Sequence, residues 1–245
     1  MTMENEKSNL LSKRMLSVVK MVTPGNRAAD IGCDHGFVSI YLAQNHISPT
    51  VIAMDINDGP LLRAKEHVES YGLSEYITVR KSDGITELQW TIPGQRTEAD
   101  TLIIAGMGGR LINRILSDSM DKVKAAGEII LQPQSEIFLV RKFLIEHGFQ
   151  ITMEDMVYEE DKYYQIIKAV PVNEQVSDLS EAELYFGPCL IAERNQVLYQ
   201  YLIREAKKFK SIIDNIRGNS ENHQKESISS LQRKWKLAEE TLNLF

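Results

Sequence analysis

The amino-acid sequence predicts an α/β protein in which a doubly wound, mostly parallel sheet precedes a C-terminal antiparallel helical hairpin of the coiled-coil type. Three observations lead to this prediction. Short apolar segments alternate with helical segments up to residue 170, which is typical of a parallel sheet covered on both faces. Acidic or glycine residues follow four of the predicted strands. Beyond residue 190 the apolar residues change to a seven-residue period.

Strands and helices of the first region follow from the apolar spacing. Segments rich in β-branched and other apolar residues predict strands at 27–32, 50–55, 77–83, 100–105, 128–132, 149–157 and 163–170. Helical spacing predicts helices at 10–22, 37–45, 58–71, 111–116 and 137–147. Thr23-Pro24-Gly25 stops the first helix, and Asp58 is predicted to cap the third. Only a short charged turn separates the last two strands, so we expect one antiparallel edge.

The C-terminal region carries two apolar seams of seven-residue period. The first seam comprises Ile191, Leu198, Leu202, Phe209, Ile212 and Ile216, with Asn195 and Glu205 as polar members. After Gly218-Asn219-Ser220, the second seam comprises Ile228, Leu231, Trp235, Ala238, Leu242 and Phe245. Two such helices with a short connection predict an antiparallel hairpin. The polar segment 171–180 is the predicted linker, so we expect domains at 1–175 and 176–245.

Composition excludes several classes of protein. A formal net charge of −6, with 43% hydrophobic and 25% charged residues, is typical of a soluble globular protein. No apolar run is long enough for a membrane helix, and the polar first residues predict no secretory signal. Two distant cysteines, Cys33 and Cys189, exclude a disulfide framework or a four-cysteine metal site. We therefore expect a cytoplasmic protein, favoured as a monomer, that uses neither metal nor membrane.

The residues just after the predicted strands indicate a nucleoside-like ligand. In a doubly wound sheet, ligands bind at the carboxyl ends of the strands. The sequences at these ends are Asp30-Ile31-Gly32-Cys33-Asp34-His35-Gly36, Asp55, Asp83-Gly84 and Gly106-Met107-Gly108-Gly109. Gly32 and Gly36 permit a sharp turn and a close approach of the backbone to the ligand. Asp55 is placed to accept hydrogen bonds from a ribose diol, and Asp83 from an exocyclic adenine amine.

The first loop favours S-adenosyl-L-methionine (SAM) over a dinucleotide. A dinucleotide places its diphosphate over this loop, where Asp30 and Asp34 would repel it. The spacing also differs from the GxGxxG pattern. SAM carries an ammonium and a sulfonium group, which suit a loop that bears carboxylates. A nicotinamide-dependent oxidoreductase remains a more distant alternative.

Four motifs, DIGCDHG, AMDIN, KSDGI and AGMGG, resemble those of the bacterial tRNA adenine-22 N1-methyltransferases. LSKRM, LQPQ and KYYQII are similar to that family as well, so the resemblance covers nearly the whole chain. It implies a Rossmann-like class I methyltransferase domain with SAM as donor and tRNA as substrate. The cofactor-binding residues that we predict are Asp30, Gly32, Cys33, Gly36, Asp55, Ile56, Asn57, Ser82, Asp83, Gly84, Ala105, Gly106, Met107 and Gly108.

The catalytic prediction rests on the chemistry of adenine N1. The AGMGG motif replaces the Asn-Pro-Pro-Tyr type of motif used for exocyclic amines, which fits attack by a ring nitrogen with its own lone pair. Methylation leaves a cationic base, so a nearby carboxylate stabilises the product charge. Asp34 is the first candidate for that role. His35 is the second, as an orienting group or as proton acceptor from N6, and no general base is identified.

Basic residues on three helices are the predicted tRNA contacts, because cations bind phosphates without reading sequence. They are Lys13, Arg14, Arg204, Lys207, Lys208, Lys210, Arg233, Lys234 and Lys236. For each residue, an ordinary solvated helix face is the alternative. Two other functions stay open on the residues alone. One is a methyltransferase acting on a small molecule or a protein, and the other is a nonenzymatic SAM- or nucleotide-binding module whose hairpin holds a partner.

Overall fold

The computed structural model describes residues 10–218 and 225–245, with side-chain detail up to residue 216 and again from residue 229. The strands are β1 (Ala28–Ile31), β2 (Val51–Asp55), β3 (Ile77–Lys81), β4 (Trp90–Ile92), β5 (Arg96–Thr97), β6 (Thr101–Gly108), β7 (Glu128–Ser135), β8 (Phe149–Glu159) and β9 (Lys162–Pro171). The helices are α1 (Lys13–Lys20), α2 (Phe37–Gln44), α3 (Asp58–Ser70), α4 (Gly109–Asp118), α5 (Met120–Ala126), α6 (Ile137–Glu146), α7 (Glu181–Phe186), α8 (Pro188–Ala192), α9 (Gln196–Gly218) and α10 (Lys225–Leu242).

The larger sheet has seven strands in the order β3-β2-β1-β6-β7-β9-β8 within the described part of the chain. β1, β2, β3, β6 and β7 are parallel, whereas β9 is antiparallel to both β7 and β8. The doubly wound sheet and its antiparallel edge are therefore confirmed. Because the strand order reverses between β1 and β6, the switch point at which such sheets bind ligands lies there.

The central strands are buried on both faces, which explains their continuous apolar sequences. Every residue of β1 and β2 is buried, and helices pack on both sides of them. The short hairpin of β4 and β5 and helix α5 are not predicted, because each has too few residues to show a clear period. Among the described residues, no helix is long and apolar enough to cross a membrane.

Two local predictions are wrong. The fourth predicted strand was expected to end at residue 105, but β6 continues to Gly108 through a register shift against β7. Gly106 lies in this irregular stretch with a φ of 79°, which a residue with a side chain rarely adopts. Asp58 was expected to cap α3, but Asn57 occupies that position. Asp58 instead pairs with Lys81, whose Nζ lies 2.7 Å from its carboxylate.

The chain divides into two compact units, one ending at Asp178 and the other comprising Leu179–Phe245. In the second unit α9 packs antiparallel to α10, since the ring of Tyr199 near the start of α9 stacks on Phe245 after α10. Leu198, Leu202 and Ala238 are buried in this unit. The antiparallel hairpin is thus present. Asn219, Ser220 and the side chain of Ile228 lie outside the described residues.

The first seam of the hairpin begins later than its period suggests. Ile191 belongs to the separate short helix α8, and Arg194 follows with a φ of 51°. Asn195 does not lie in the seam, because its Oδ1 accepts hydrogen bonds from the amides of Val197 and Leu198. It thereby satisfies amides in the first turn of α9, which have no partner within the helix.

Candidate active site

A cleft of about 650 Å³ lies at the carboxyl ends of β1, β2, β3, β6 and β7 and is bordered by α1. This size is within the usual range for small-molecule sites, about 300–1,000 Å³. Both predicted catalytic residues, Asp34 and His35, line the cleft. Twelve predicted cofactor residues line it as well, namely Asp30, Gly32, Cys33, Asp55, Ile56, Asn57, Ser82, Asp83, Gly84, Ala105, Gly106 and Met107.

Gly36 and Gly108 were also predicted to bind the cofactor, but neither lines the cleft. Gly36 precedes α2, and a Cβ there would lie 3.2 Å from the Cβ of Ala64. Gly108 precedes α4, and a Cβ there would lie 3.2 Å from Oγ of Ser135. In this structure these two glycines permit close packing between elements.

The loop after β1 brings the backbone directly against its neighbours. Gly32 has a φ of 74°, and a Cβ at this position would lie 2.1 Å from Cε of Met107. The positive φ favours glycine, and a side chain here would also displace the flexible end of Met107. The amides of Gly32 and Cys33 donate to the carbonyl of Met54 at 2.7 and 2.9 Å, which ties the loop to β2.

Two buried carboxylates lie under this loop. Asp30 accepts a hydrogen bond of 2.8 Å from Oγ of Ser39. Burial is the main cause that raises the pKa of Asp30 to about 6; the hydrogen bonds from Ser39 oppose this shift and the nearby charge of Asp55 adds to it. Asp55 accepts from the amide of Asn57 at 2.9 Å and from that of Asp34 at 3.4 Å. The loop therefore presents negative charge to the cleft, which disfavours a diphosphate and favours a cationic ligand.

The end of the cleft over β3 combines apolar and polar side chains. Ile56 is 50% exposed and Leu111 is 41% exposed, although both are apolar. Both line the cleft, where a planar base would cover them. Asp83 lies beside them, with its carboxylate 3.4 Å from Nη2 of Arg114. Leu111 and Arg114 were not predicted, because they lie within α4 and do not directly follow a strand.

The predicted catalytic residues lie on the loop beside β2. The Asp34 carboxylate is mostly exposed, 3.6 Å from Nε2 of His35 and 3.7 Å from Nη2 of Arg63. The imidazole of His35 stacks on the rings of Phe37 and His67. Burial raises the pKa of the Cys33 thiol, which stays protonated and packs in the apolar cluster that contains α1.

The opposite side of the cleft is built from distant parts of the sequence. Nη1 of Arg14, on α1, donates to Oε1 of Gln132 at 2.6 Å. The same guanidinium lies 5.0 Å from the centroid of the Tyr164 ring, a cation–π contact. Gln134, from the end of β7, lines the cleft there. Of this group only Arg14 is predicted as a site residue from the sequence, as a tRNA contact.

The other predicted tRNA contacts are exposed cations with varied partners. Arg233 binds Glu181 through two hydrogen bonds of 3.0 and 2.7 Å. Lys208 and Lys236 pair with acidic residues on their own helices at 3.6 and 3.4 Å. Lys234 lines a second cavity of about 180 Å³ within the C-terminal unit. The remaining cations, all exposed, are Lys13, Arg204, Lys207 and Lys210.

The strand order, the cleft at the switch point and the paired carboxylates under the first loop together define a class I SAM-dependent methyltransferase. In doubly wound sheets, ligands bind in the crevice outside the carboxyl ends of the strands, at the switch point. Comparison with known proteins then identifies the family. A family model described as TrmK, tRNA (adenine(22)-N(1))-methyltransferase, matches residues 28–240, and the chain belongs to this family.

Individual relatives are similar over nearly their whole length. The tRNA (adenine(22)-N(1))-methyltransferase of Bacillus subtilis strain 168 is 32% identical over 238 residues, covering 95% of this chain and 97% of that protein. A Streptococcus pneumoniae protein solved with SAM is 31% identical, with a TM-score of 0.82 and coverage of 95% and 99%. The TrmK of M. capricolum, solved with S-adenosyl-homocysteine, is 26% identical, with a TM-score of 0.79 and coverage of 96% and 99%.

Family membership confirms the expectations of fold, donor and reaction. The protein is an enzyme that uses SAM and methylates N1 of an adenine in tRNA. Membership of this family excludes the three alternatives: a nicotinamide-dependent oxidoreductase, a nonenzymatic binding module, and a methyltransferase acting on small molecules or proteins.

Proposed function

We propose that SAM binds along the ends of β1, β2 and β3, and that its methyl group is transferred to N1 of adenine 22 of a tRNA. The pair of buried carboxylates, Asp30 and Asp55, carries this proposal, because it suits a cationic donor and repels a diphosphate. In the proposed complex Asp55 accepts hydrogen bonds from the ribose diol. Asp30 faces the positive charge of the methionine part, and Asp83 accepts from the adenine amine.

The transfer needs little activation of the acceptor. The N1 lone pair attacks the methyl carbon in line with the sulfur, and the carbon–sulfur bond breaks as sulfur takes its electron pair. The donor loses its positive charge, and the adenine gains one. The protein's main contribution is to hold N1 in line at short distance and to stabilise the transferred charge. Within this proposal the exposed carboxylate of Asp34 acts electrostatically, and His35 orients the base or accepts a proton from N6.

Adenine N1 lies on the pairing edge of the base, so the target nucleotide must leave its stack before it can react. The protein carries a net charge of −6, and tRNA binding therefore depends on local cations. We assign this role to Lys13 and Arg14 in the first unit. In the second unit we assign it to the exposed cations of α9 and α10, namely Arg204, Lys207, Lys208, Lys210, Arg233, Lys234 and Lys236.

The proposed setting is the cytoplasm, with the enzyme acting as a monomer. Both cysteines are free thiols, as is usual in a reducing compartment. The seams of α9 and α10 bury Leu198, Leu202 and Ala238 within one chain, which supports a hairpin that closes without a second copy. Sedimentation of the purified protein across a range of concentrations tests the monomer, and a mass that rises to twice that of the chain contradicts it.

Methyl transfer from labelled SAM to an unmodified tRNA transcript tests the function, with primer extension as the second readout. We expect label in the tRNA and a reverse-transcriptase stop beside adenine 22, because a methyl group on N1 blocks pairing. A transcript with guanine at position 22 is the matched control and should accept no label. Label without that stop would contradict the proposed target atom, and no label from protein that binds SAM would contradict the function.

A further inference from the structure

The cleft extends beyond the part assigned to the donor, and this extension is the starting point for an inference that rests on the proposed function. With SAM over β1, β2 and β3, the ends of β6 and β7 remain. Leu10 and Arg14 from the α1 side line this part of the cleft, together with Gly106 and Gln134. Once the donor is assigned to β1, β2 and β3, this part of the cleft is the space left for the target base.

Gln132 is not available to a ligand. It is fully buried, and its Oε1 accepts from the amide of Gly106 at 3.1 Å and from Nη1 of Arg14 at 2.6 Å. Its Nε2 donates to the carbonyl of Pro133 at 3.2 Å. An amide oxygen has two lone pairs, and both are used. Gln132 therefore fixes the Arg14 guanidinium from one side, while the Tyr164 ring holds it from another.

Gln134 differs from Gln132 although only one residue separates them. Its side chain is exposed at the cleft, and within residues 10–218 and 225–245 no hydrogen bond engages its amide. A Cβ added to Gly106 would lie 3.8 Å from Nε2 of Gln134 and 3.7 Å from Nη1 of Arg14. Gln134 and Arg14 thus flank one gap, which stays open because residue 106 has no side chain.

We propose that the target adenine binds in this gap and that Gln134 recognises its N6 and N7. The amide oxygen accepts from the N6 amine while the amide nitrogen donates to N7, the usual pairing of glutamine with adenine. This contact uses the edge of the base away from N1, so N1 stays free for the methyl group. Guanine presents an acceptor at position 6, which would face the amide oxygen and be rejected. Gln134 is then the specificity-determining residue, and the fixed Arg14 is the opposite wall of the gap.

A chemical double-mutant cycle tests this contact. The substrates are tRNAs ligated from synthetic halves, with adenine or 7-deazaadenine at position 22, and the measurement is the single-turnover rate at subsaturating tRNA. The wild-type rate should fall about 30-fold when N7 is removed, as expected for a lost base contact. Gln134→Ala should lose about as much on adenine and little further on 7-deazaadenine. Gln150→Ala is the matched control, since Gln150 is exposed and does not line the cleft.

A second variant makes the test directional. The carboxylate of Gln134→Glu accepts from N6 but repels the lone pair of N7, so this variant should prefer 7-deazaadenine and invert the wild-type preference. SAM affinity should stay within about twofold of wild type in both variants, because the proposed contact is to the acceptor alone. If removal of N7 lowered the single-turnover rate of Gln134→Ala as much as that of the wild type, the inference would be overturned. If the wild type transferred nothing to the adenine tRNA, the proposed function itself would fail.

Discussion

The two sides of the cleft are built in different ways. On the donor side, Asp55 is held by the amides of Asn57 and Asp34, and the loop turns at Gly32, whose positive φ a residue with a side chain rarely adopts. On the acceptor side, the bond from Arg14 to Gln132 joins residues 118 positions apart. The donor side is thus fixed by the backbone around each strand end, whereas the acceptor side depends on the docking of α1 against the sheet.

If the donor side depends on Asp55, its removal should have the largest effect. Asp55→Ala should weaken SAM binding by about 100-fold or more, since two hydrogen bonds to a ribose diol and a buried charge are lost. Isothermal titration with SAM measures this. Asp58→Ala is the control. Asp58 is three residues after Asp55, does not line the cleft, and its carboxylate pairs with Lys81. An affinity for SAM that is unchanged in Asp55→Ala would remove this residue from the site.

A substitution on the acceptor side should impair the reaction with tRNA and leave SAM binding unchanged. Arg14→Ala should lower kcat/KM for tRNA by about 30-fold, because the gap loses one wall and a cation fixed by Gln132 and Tyr164. SAM affinity should not change. Lys20→Ala is a matched control, since Lys20 is an exposed cation of the same helix that does not line the cleft and is not assigned to tRNA binding. Should Arg14→Ala instead weaken SAM binding as strongly as tRNA turnover, the division of the cleft into two sides would be wrong.

The same difference explains what could be predicted from the sequence. Donor-side residues lie at the ends of strands or just after them, so a rule about strand ends finds Asp30, Asp55 and Asp83 without any knowledge of tertiary contacts. Applied to β7, the same rule would have found Gln132 and Gln134, which were noted only as part of a family motif. The rule also selects Gly36 and Gly108, which do not line the cleft, because glycine serves close packing between helices and strands as well as ligand binding.

Long-range packing limited the rest of the prediction. Arg14 was proposed for tRNA binding, but no local pattern shows that Gln132 and Tyr164 would hold its guanidinium over the cleft. The N-terminus of α1 is likewise fixed by Glu159, whose carboxylate accepts from the amide of Lys13 at 2.7 Å. In the hairpin, Asn195 has the period of a seam residue, yet its ability to cap a helix prevails.

Removing the charge of Asp30 should have a smaller effect on SAM binding than removing Asp55, and it should also change protein stability. Burial raises the folded-state pKa of Asp30 to about 6, so the folded protein holds this proton more tightly than the unfolded chain does. The contribution of Asp30 to stability therefore falls as pH rises from about 4 to 6 and stays low above that. Asp30→Asn should raise the free energy of unfolding by about 1–3 kcal/mol at pH 8 and by about half as much at pH 5.

The same variant should bind SAM about tenfold more weakly, because a charge facing the cation is lost. Urea titrations at the two pH values measure the gain in stability, and Asp83→Asn, at a mostly exposed carboxylate, is the control for the pH dependence. A stability gain without loss of SAM affinity would leave Asp30 a structural residue. A loss of stability at pH 8 would contradict the burial argument.

The smallest effect is expected from the C-terminal unit, whose cations lie on exposed helix faces. Reversing Lys207 and Lys208 to glutamate should weaken tRNA binding about fivefold. The slope of log K against log salt concentration should become shallower by about two at most, because at most two phosphate contacts are lost. One of the two, Lys208, is already paired with Glu205, so its share should be the lesser. The control is the double reversal of Lys20 and Lys124, which changes net charge equally at exposed positions near the amino ends of the strands. Equal weakening by both pairs would mean that tRNA senses only total charge, and the hairpin would then have no specific part in binding.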